Sequence, residues 1–371
     1  QAVKDFITHH RDLLPLNRRV VEGTLSQNNS AYNRARKTIP LQVVENFSQT
    51  ICDQLAAKAE PAFLGRRVFI VDGTTITLPP TDELKRAFPP ARNQKGESVW
   101  PLALLLVAHE MQTGCALVPQ VDPMYGPDRK CESQQAAAAI SQLPTGNIVM
   151  ADSGFGIFSV AWQCQQAEQD FLFRLTKSRY RSHLKKAKLV DEGPGYRTAA
   201  LLWMPSAKER KNNPFLPKEA TINVVIHQID LDNGQTLELI TSMEVDATSS
   251  GNLYCRRYDV EFDIRDFKVT MDAENIRAKS VDTVMKELHG SVIAYNLVMQ
   301  FRSQAAKLAK VPARRLSFSG VWLDFRVDLL NKELETLSSG RLAYAQALAN
   351  AATRVLPNRR TKRSYPRIAH T

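Results

Sequence analysis

Two short apolar segments constrain the fold of this chain more than any other feature. Residues 68–71 (Val-Phe-Ile-Val) and 148–151 (Ile-Val-Met-Ala) are uninterrupted apolar runs rich in β-branched residues. Such runs are typical of strands that are buried on both faces of a sheet. Each run ends directly before an aspartate, Asp72 and Asp152, and a turn is predicted after each aspartate. The sequence therefore predicts a helix-covered sheet that presents two carboxylates at strand ends.

The segments around these two strands predict an α/β arrangement. We expect further strands over residues 99–107 and 115–121, and helices over residues 132–143 and 157–168. Together these elements give three strands, a helix, a strand and a helix, which favours a mixed sheet. Residues 171–245 then contain strand-like segments separated by basic and Pro-rich loops, and helical patterning returns at about residue 252.

The charge of the chain narrows the class of partner. Lys and Arg number 49 against 38 Asp and Glu, which gives a net charge of +11. A field of this sign favours a polyanion, with nucleic acid as the first candidate, although many basic proteins bind none. The five cysteines are scattered without a C-x-x-C pair, which indicates neither a zinc knuckle nor a disulfide framework and fits a reducing cytosol.

The apolar runs of the sequence argue against a membrane span. The longest is about half of the roughly 20 residues that a spanning helix needs, so we predict no membrane association. The N-terminus has no signal-peptide pattern. The sequence begins with Gln1 rather than Met.

The region after residue 252 carries an unusual predicted helix face. At about 100° per residue, one face presents two tyrosines, three cations and a single carboxylate, and a separate apolar stripe faces the core. An ordinary solvated face with an Arg257–Glu261 ion pair is the simpler interpretation. A polyanion bound beside a metal ion would need the same mixture of groups. The residues of the polar face are Tyr254, Arg257, Tyr258, Glu261, Arg265 and Lys268.

At this face the sequence resembles a known family. Tyr254, Arg257, Glu261 and Lys268 match the Y-x2-R-x3-E-x6-K signature of a large group of bacterial insertion-sequence DDE transposases. Residues 71–74 around Asp72 and 151–156 around Asp152 are similar to the same family, as are residues 287–290 and 294–297. The position of Ser153 is more often Arg in that family.

The resemblance implies a ribonuclease-H-like fold, a mixed sheet flanked by helices. Asp72 would lie on the first strand, Asp152 just after the fourth, and Glu261 on a late helix. These three residues would be catalytic and would hold two Mg²⁺ ions, with Mn²⁺ able to substitute, because hard cations prefer carboxylate oxygens.

The implied activity is DNA transposition without an energy cofactor. Water would cleave at the transposon end, and the freed 3′-OH would attack target DNA. The partner is double-stranded DNA, bound by a homodimer in a synaptic complex in the bacterial cytoplasm at the nucleoid. Tyr254, Arg257 and Lys268 would contact DNA near the cut, and we include Arg265 and Tyr258 among the DNA-binding residues. Trp203 is a candidate to hold a flipped base if a hairpin intermediate forms.

The resemblance also organises the chain into five regions. We expect a helical N-terminal DNA-binding region, a catalytic core split by a β-rich insertion before the Glu261 helix, and a C-terminal region with a basic tail at residues 359–363. Within the first region, residues 26–37 suit either phosphate contact or a plain solvated helix hairpin. The expected bounds are residues 1–60, 61–170, 171–248, 249–311 and 312–371.

Two other functions compete with an active transposase. A catalytically inactive or inhibitory relative would bind DNA without cutting it, but the three acids and the full signature speak against it. A standalone nuclease on the same fold would cleave DNA without joining the 3′-OH to a target. Isolated histidines and the Gly154-x-Gly156 pair match no metal or dinucleotide motif.

Overall fold

A computed structural model describes residues 22, 24, 30–93, 96–232, 234–331 and 337–357. The chain forms two compact units, one of residues 26–300 and the other of residues 1–25 with 301–371. The helix expected before residue 22 and the basic tail at residues 359–363 lie outside the described residues. No helix within the described ranges is long and apolar enough to cross a membrane.

Ten strands in the described part of the larger unit form one mixed sheet. Its order is β2-β3-β1-β5-β6-β10-β9-β8-β7, and β4 pairs with β3. Strands β5 and β6 run parallel to β1, whereas β3 and β10 run antiparallel to their neighbours. The strands are β1 Val68–Thr77, β2 Pro90–Asn93, β3 Gly96–Glu110, β4 Gln120–Pro123, β5 Ile148–Ala151, β6 Asp170–Arg174, β7 Lys188–Gly193, β8 Tyr196–Trp203, β9 Ile222–Asp230 and β10 Thr236–Thr241.

Helices precede, interrupt and follow this sheet. The described part of the expected helical N-terminal region contains α1 and α2, and the helix expected from residue 132 is present as α4. The helices are α1 Ser30–Thr38, α2 Leu41–Ala57, α3 Asp82–Ala87, α4 Glu132–Ser141, α5 Phe158–Gln166, α6 Lys177–Leu184, α7 Ala207–Asn212, α8 Ala247–Tyr254, α9 Asp259–Arg265, α10 Val281–Ala309, α11 Phe318–Asn331 and α12 Leu337–Ala352.

The mixed α/β sheet is as predicted, but several boundaries differ. The prediction that β1 ends before Asp72 was wrong, because the strand continues to Thr77. It continues because its pairing with the long strand β3 extends from Phe69–Glu110 to Thr77–Leu102. The strand predicted over residues 115–121 is observed only as the shorter strand β4, Gln120–Pro123. The short elements α3 and β2 were not predicted.

The continuous helix predicted from residue 252 was also wrong. Helix α8 ends at Tyr254, a 3₁₀ turn covers Cys255–Tyr258, and α9 is followed by a π-helical turn at Asp266–Thr270. A 3₁₀ turn winds 120° per residue and a π turn winds less than an α-helix, so the uniform 100° projection fails here. The next helix, α10, starts only at Val281.

A hydrophobic core joins the sheet to the α8–α9 segment. Alternate residues of β1 and β5 face this core, as expected for strands whose side chains alternate between faces. Each fully buried aliphatic side chain contributes about 1.5–3 kcal/mol, so the position of α9 on the sheet is well determined. The core contains Val68, Ile70, Met111, Ile148, Met150, Leu172, Leu237, Leu239, Met243, Leu253, Tyr254 and Val260.

The smaller unit is helical in its described part. Phe301, at the C-terminal end of α10, packs against Phe325 of α11 and Tyr344 of α12. The buried Arg302 guanidinium donates 2.7 Å to the Leu316 carbonyl oxygen, which satisfies a backbone acceptor between two helices.

Candidate active site

Asp72 of β1 and Asp152, directly after β5, follow the ends of the same pairing between two neighbouring parallel strands. Val71 pairs with Ala151, the last residue of β5, so the two aspartates follow one register pair. Neighbouring strands are about 4.8 Å apart, which brings the two carboxyl groups together. Because β5 ends at Ala151 and β1 continues to Thr77, this edge of β1 has no partner strand beyond Asp72 among the described residues.

Each aspartate is fixed by a backbone amide that donates to it. The Gly73 amide lies 2.9 Å from Asp72 Oδ1, and the Gly154 amide lies 2.8 Å from Asp152 Oδ1. Burial raises the pKa of the Asp72 carboxyl group above its ordinary value, and the negative charges of Asp152 and Glu261 add to the rise. The Gly73 amide and the Arg257 guanidinium oppose this shift. The site is therefore short of positive charge.

Glu261 reaches the same site from α9 and is held by Arg257. The Arg257 guanidinium lies 2.5 Å from Glu261 Oε1 and 3.4 Å from Asp72 Oδ2. The ion pair of the simpler interpretation therefore forms, but the same guanidinium also spans to β1. Arg257 is a protein cation between two of the predicted carboxylates.

Glu132, the first residue of α4, is an acid near this site that sequence reasoning missed. Its carboxyl group lies over Gly73, where a Cβ atom would overlap it. Burial raises the pKa of Glu132, and the charges of Asp72 and Asp152 raise it further. An acid in the first turn of a helix is common, so the position of Glu132 in the sequence did not indicate a role at the site. The one indication was the glycine at residue 73, directly after Asp72.

The predicted DNA-contact residues separate into buried and exposed groups. Tyr254 is 7% exposed and belongs to the core, whereas Tyr258 is 52% exposed with the Arg257 guanidinium 5.3 Å from its ring centroid. The prediction that one face presents both tyrosines was wrong, because the 3₁₀ turn lies between them. Burial raises the pKa of the Tyr254 hydroxyl group, and the negative charges of the nearby Asp152 and Asp72 add to this rise.

Lys268 and Arg265 differ in their attachment. The Lys268 ammonium donates 2.8 Å to the Thr75 carbonyl oxygen and 3.2 Å to the Thr74 hydroxyl group, both on β1. Arg265 is largely exposed beside Asp266 and stacks over Phe262. Lys268 therefore ties the π-helical turn to the strand that carries Asp72.

Trp203 does not have the exposure that a base-stacking residue needs. It is 4% exposed and packs edge-on against Phe158 and His183. The expectation that its ring holds a flipped base is wrong for this conformation, since both neighbours cover it.

A basic helix adjoins the turn that follows Asp152. Arg179 of α6 donates 2.6 Å to the Ser153 carbonyl oxygen and thereby fixes α6 against that turn. The other cations of this segment are exposed, and none pairs with an acid among the described residues. We call this set the α6 surface; its residues are Lys177, Arg181, Lys185, Lys186 and Lys188.

The donor chemistry of the site suits a hard divalent cation. Asp72, Asp152 and Glu261 supply only carboxylate oxygens, the ligands that Mg²⁺ and Mn²⁺ prefer. Among the described residues, no three acidic, His or Cys side chains converge closely enough to hold an ion as they stand. Arg257 supplies the positive charge between Asp72 and Glu261, so an ion would have to share or displace it.

A mixed sheet with adjacent carboxylates at a strand end and a glutamate on a neighbouring helix defines a class of enzyme core whose active site is built from acidic side chains. Residues 64–297, well over half of the chain, match the family model for the transposase DDE domain. The chain therefore belongs to the DDE transposase family. The family match implies a transposase enzyme and the use of divalent metal.

Two known transposases align with most of this chain. Transposase InsG of insertion sequence element IS4 from Escherichia coli K12 is 26% identical over 356 residues, which is 91% of this chain and 76% of InsG. A solved piggyBac transposase synaptic complex with hairpin DNA aligns with 98% of this chain and 73% of its own, at 9% identity and a TM-score of 0.43. Similarity at that TM-score does not establish a shared fold.

Proposed function

We propose that this protein is an active DNA transposase that cleaves transposon ends and joins the freed 3′-OH to target DNA. The observation that carries the proposal is the register pair Val71–Ala151, which places Asp72 and Asp152 next to each other. Glu261 joins them through the shared Arg257. Within the DDE family, these are the three acids that we assign as catalytic.

The topology supports a ribonuclease-H-like core. In the strand order β4-β3-β1-β5-β6, strands β5 and β6 run parallel to β1. Strand β3 runs antiparallel to β1, and β4 runs antiparallel to β3. Counting β1, β3, β4 and β5, Asp72 lies on the first strand and Asp152 directly after the fourth, which is the arrangement expected from the family resemblance. On this proposal, β7 to β10 are the insertion, and the five regions keep their expected bounds.

Asp72, Asp152 and Glu261 would hold two divalent cations, Mg²⁺ or Mn²⁺. When bound, such ions activate the attacking oxygen and stabilise the leaving oxygen of a phosphodiester. The Gly73 and Gly154 amides hold the two aspartate side chains in place. Arg257 orients Glu261 and is available to a phosphate when a metal ion takes over its charge.

The DNA contacts follow from the cations and tyrosines around the site. We assign phosphate contacts to Arg257, Lys268 and Arg265, and contact with DNA near the cut to Tyr258. The same contact by Tyr254 would require its buried ring to become exposed. The α6 surface extends this basic region from the Asp152 turn. Because two transposon ends must be brought together, we propose a homodimer in a synaptic complex, acting on the bacterial nucleoid in the cytoplasm. The Y-x2-R-x3-E-x6-K group of insertion-sequence transposases is the subgroup that we assign.

The test is metal-dependent cleavage and end joining on DNA that carries the element's own ends. Wild type is compared with Asp72→Asn, Asp152→Asn and Glu261→Gln, and with Glu219→Gln, an exposed acid of the insertion, as the matched control. Each site variant should lose about a hundredfold or more in rate, while the control keeps wild-type rate.

The outcomes separate the competing functions. Cleavage by Glu261→Gln at wild-type rate would show that the metal-ligand assignment is wrong. Tight DNA binding by wild type without cleavage would favour the inactive or inhibitory relative. Cleavage without joining of the 3′-OH would favour the nuclease.

A further inference from the structure

The carboxyl group of Glu132 occupies space that only a glycine leaves open. Gly73 follows Asp72 in β1, and a Cβ atom built on it would lie 2.6 Å from Glu132 Cγ and closer still to the carboxyl group. The backbone of Gly73 does not have the positive φ that demands glycine. The missing side chain at residue 73 therefore serves the approach of Glu132 to β1 beside Asp72.

Glu132 lies in the first turn of α4, but neither capping bond of that helix uses its carboxyl group. The N-cap of α4 is Cys131, and the reciprocal capping bond comes from Gln134, whose Oε1 accepts from the Cys131 amide at 2.9 Å. The Glu132 carboxyl group accepts no hydrogen bond and pairs with no cation among the described residues. A half-buried carboxylate without a partner is unfavourable unless a ligand compensates it.

The four acids of this site differ in whether a protein cation pairs with them. Arg257 lies against Asp72 and Glu261, so those two acids share a protein cation. Asp152 and Glu132 pair with no cation in the described part of the chain. The unpaired carboxylates therefore lie on the side of the site where α4 and the turn after Asp152 meet β1.

We propose that Glu132 is a fourth carboxylate of the divalent-cation site, acting with Asp72 and Asp152. This rests on the proposed function, which places Mg²⁺ or Mn²⁺ at those acids. A doubly charged ion would offset the two unpaired carboxylates, and such ions accept several oxygen ligands at once. Gly73 and Asp72 face opposite sides of the sheet, as successive strand residues do. Because β1 has no strand partner beyond Asp72 on this edge, the Glu132 side chain can reach Asp72 and Asp152 around it.

The test is the binding of Mn²⁺ alone to the full chain, followed by the electron paramagnetic resonance signal of free Mn²⁺. The proteins are wild type, Glu132→Gln, Glu132→Asp, Asp72→Asn and the exposed control Glu219→Gln. Loss of one ligand should weaken Mn²⁺ binding by about tenfold or more in Glu132→Gln and in Asp72→Asn. Glu132→Asp should bind more tightly than Glu132→Gln, and the control should bind as wild type.

Thermal unfolding in EDTA gives a readout that does not depend on bound metal. Removing one unpaired negative charge should raise the Tm of Glu132→Gln by about 2 °C above wild type. A structural role for Glu132 would instead lower it, and a lower Tm would overturn the proposal. The increase of Tm on adding Mn²⁺ should be smaller in Glu132→Gln than in wild type.

The binding results separate this inference from the proposed function. If Asp72→Asn loses Mn²⁺ affinity while Glu132→Gln keeps it, Glu132 is not a ligand and the three-acid site stands. If wild type and Asp72→Asn bind Mn²⁺ equally, the proposed metal site itself is wrong, and this inference is overturned with it.

Discussion

Arg257 lies 3.4 Å from Asp72, from which it is separated by 185 positions in the chain. The same guanidinium pairs with Glu261 one helical turn away. The link holds the α8–α9 segment against β1 at the point where the two acids meet. Without a bound metal ion, it is also the positive charge that keeps these carboxylates close together.

Arg257→Gln should therefore destabilise the metal-free protein. Its side chain is 13% exposed, so its loss leaves Asp72 partly buried beside Asp152 and Glu261 without a compensating cation. We expect a loss of about 2 kcal/mol, seen as a lower Tm in EDTA, and a smaller loss in Mg²⁺. Arg256→Gln is the control, because its pair with Asp259 is more exposed and is worth about 1 kcal/mol or less. An equal effect of the two substitutions would contradict the assignment.

The sequence predicted the mixed sheet because its buried strands leave a local pattern. A buried run followed by Asp is visible at Asp72 and Asp152, and parallel neighbours place such residues together. It did not predict that β1 continues beyond Asp72, because the polar residues Thr74 and Thr75 are held in the strand by pairing with β3. Long-range pairing of this kind leaves no local signal.

The helix that carries Glu261 shows a different limit. Its polar face was projected with uniform α-helical geometry, but a 3₁₀ turn and a π turn change the angles on both sides of α9. Tyr254 is therefore in the core and Tyr258 is exposed. Glu132 was missed because its proximity to Gly73 exists only in three dimensions.

The close approach of Gly73 and Glu132 predicts a coupling between two substitutions. Gly73→Ala should destabilise the protein by about 1 kcal/mol, because the new methyl group forces the Glu132 side chain into another rotamer. In a Glu132→Ala background that space is free, and the same substitution should cost less. Chemical denaturation of the four proteins measures the coupling. Additive effects would show that Glu132 does not lie over Gly73.

Lys268 should contribute to stability in the absence of DNA. Lys268→Met keeps the aliphatic stem but removes the donor to the Thr75 carbonyl and the Thr74 hydroxyl, which should cost about 1–2 kcal/mol. Arg265→Met, at an exposed pair, is the control and should cost less. Unchanged denaturant midpoints in Lys268→Met would mean that the side chain is free to contact phosphate instead.

His227 makes the stability of the protein pH-dependent. Its side chain is fully buried in β9, where Nδ1 lies 2.9 Å from the Thr198 hydroxyl group, and burial lowers its pKa from 6.5 to about 4. The unfolded chain therefore binds more protons between these values, so stability falls as the pH decreases from 6.5 to 4. The full effect is about 3 kcal/mol. Thermal unfolding at several pH values should show a weaker pH dependence in His227→Gln, and an unchanged dependence would exclude His227 as its source.

The α6 surface predicts the salt dependence of DNA binding. A cation that binds a phosphate releases counterions, so removing one such cation should reduce the slope of log K against log[salt] by about 0.9. Arg181 and Lys185 are exposed and unpaired among the described residues, and Arg179 fixes their helix beside the Asp152 turn. Replacing both with Gln should therefore lower the slope by up to about 2 on a short DNA duplex. Lys208→Gln with Lys211→Gln removes the same charge from the exposed face of α7 and serves as the matched control. A reduced slope only in the α6 variant would place DNA along α6, whereas equal slopes in both variants would mean that only the overall charge of the protein matters.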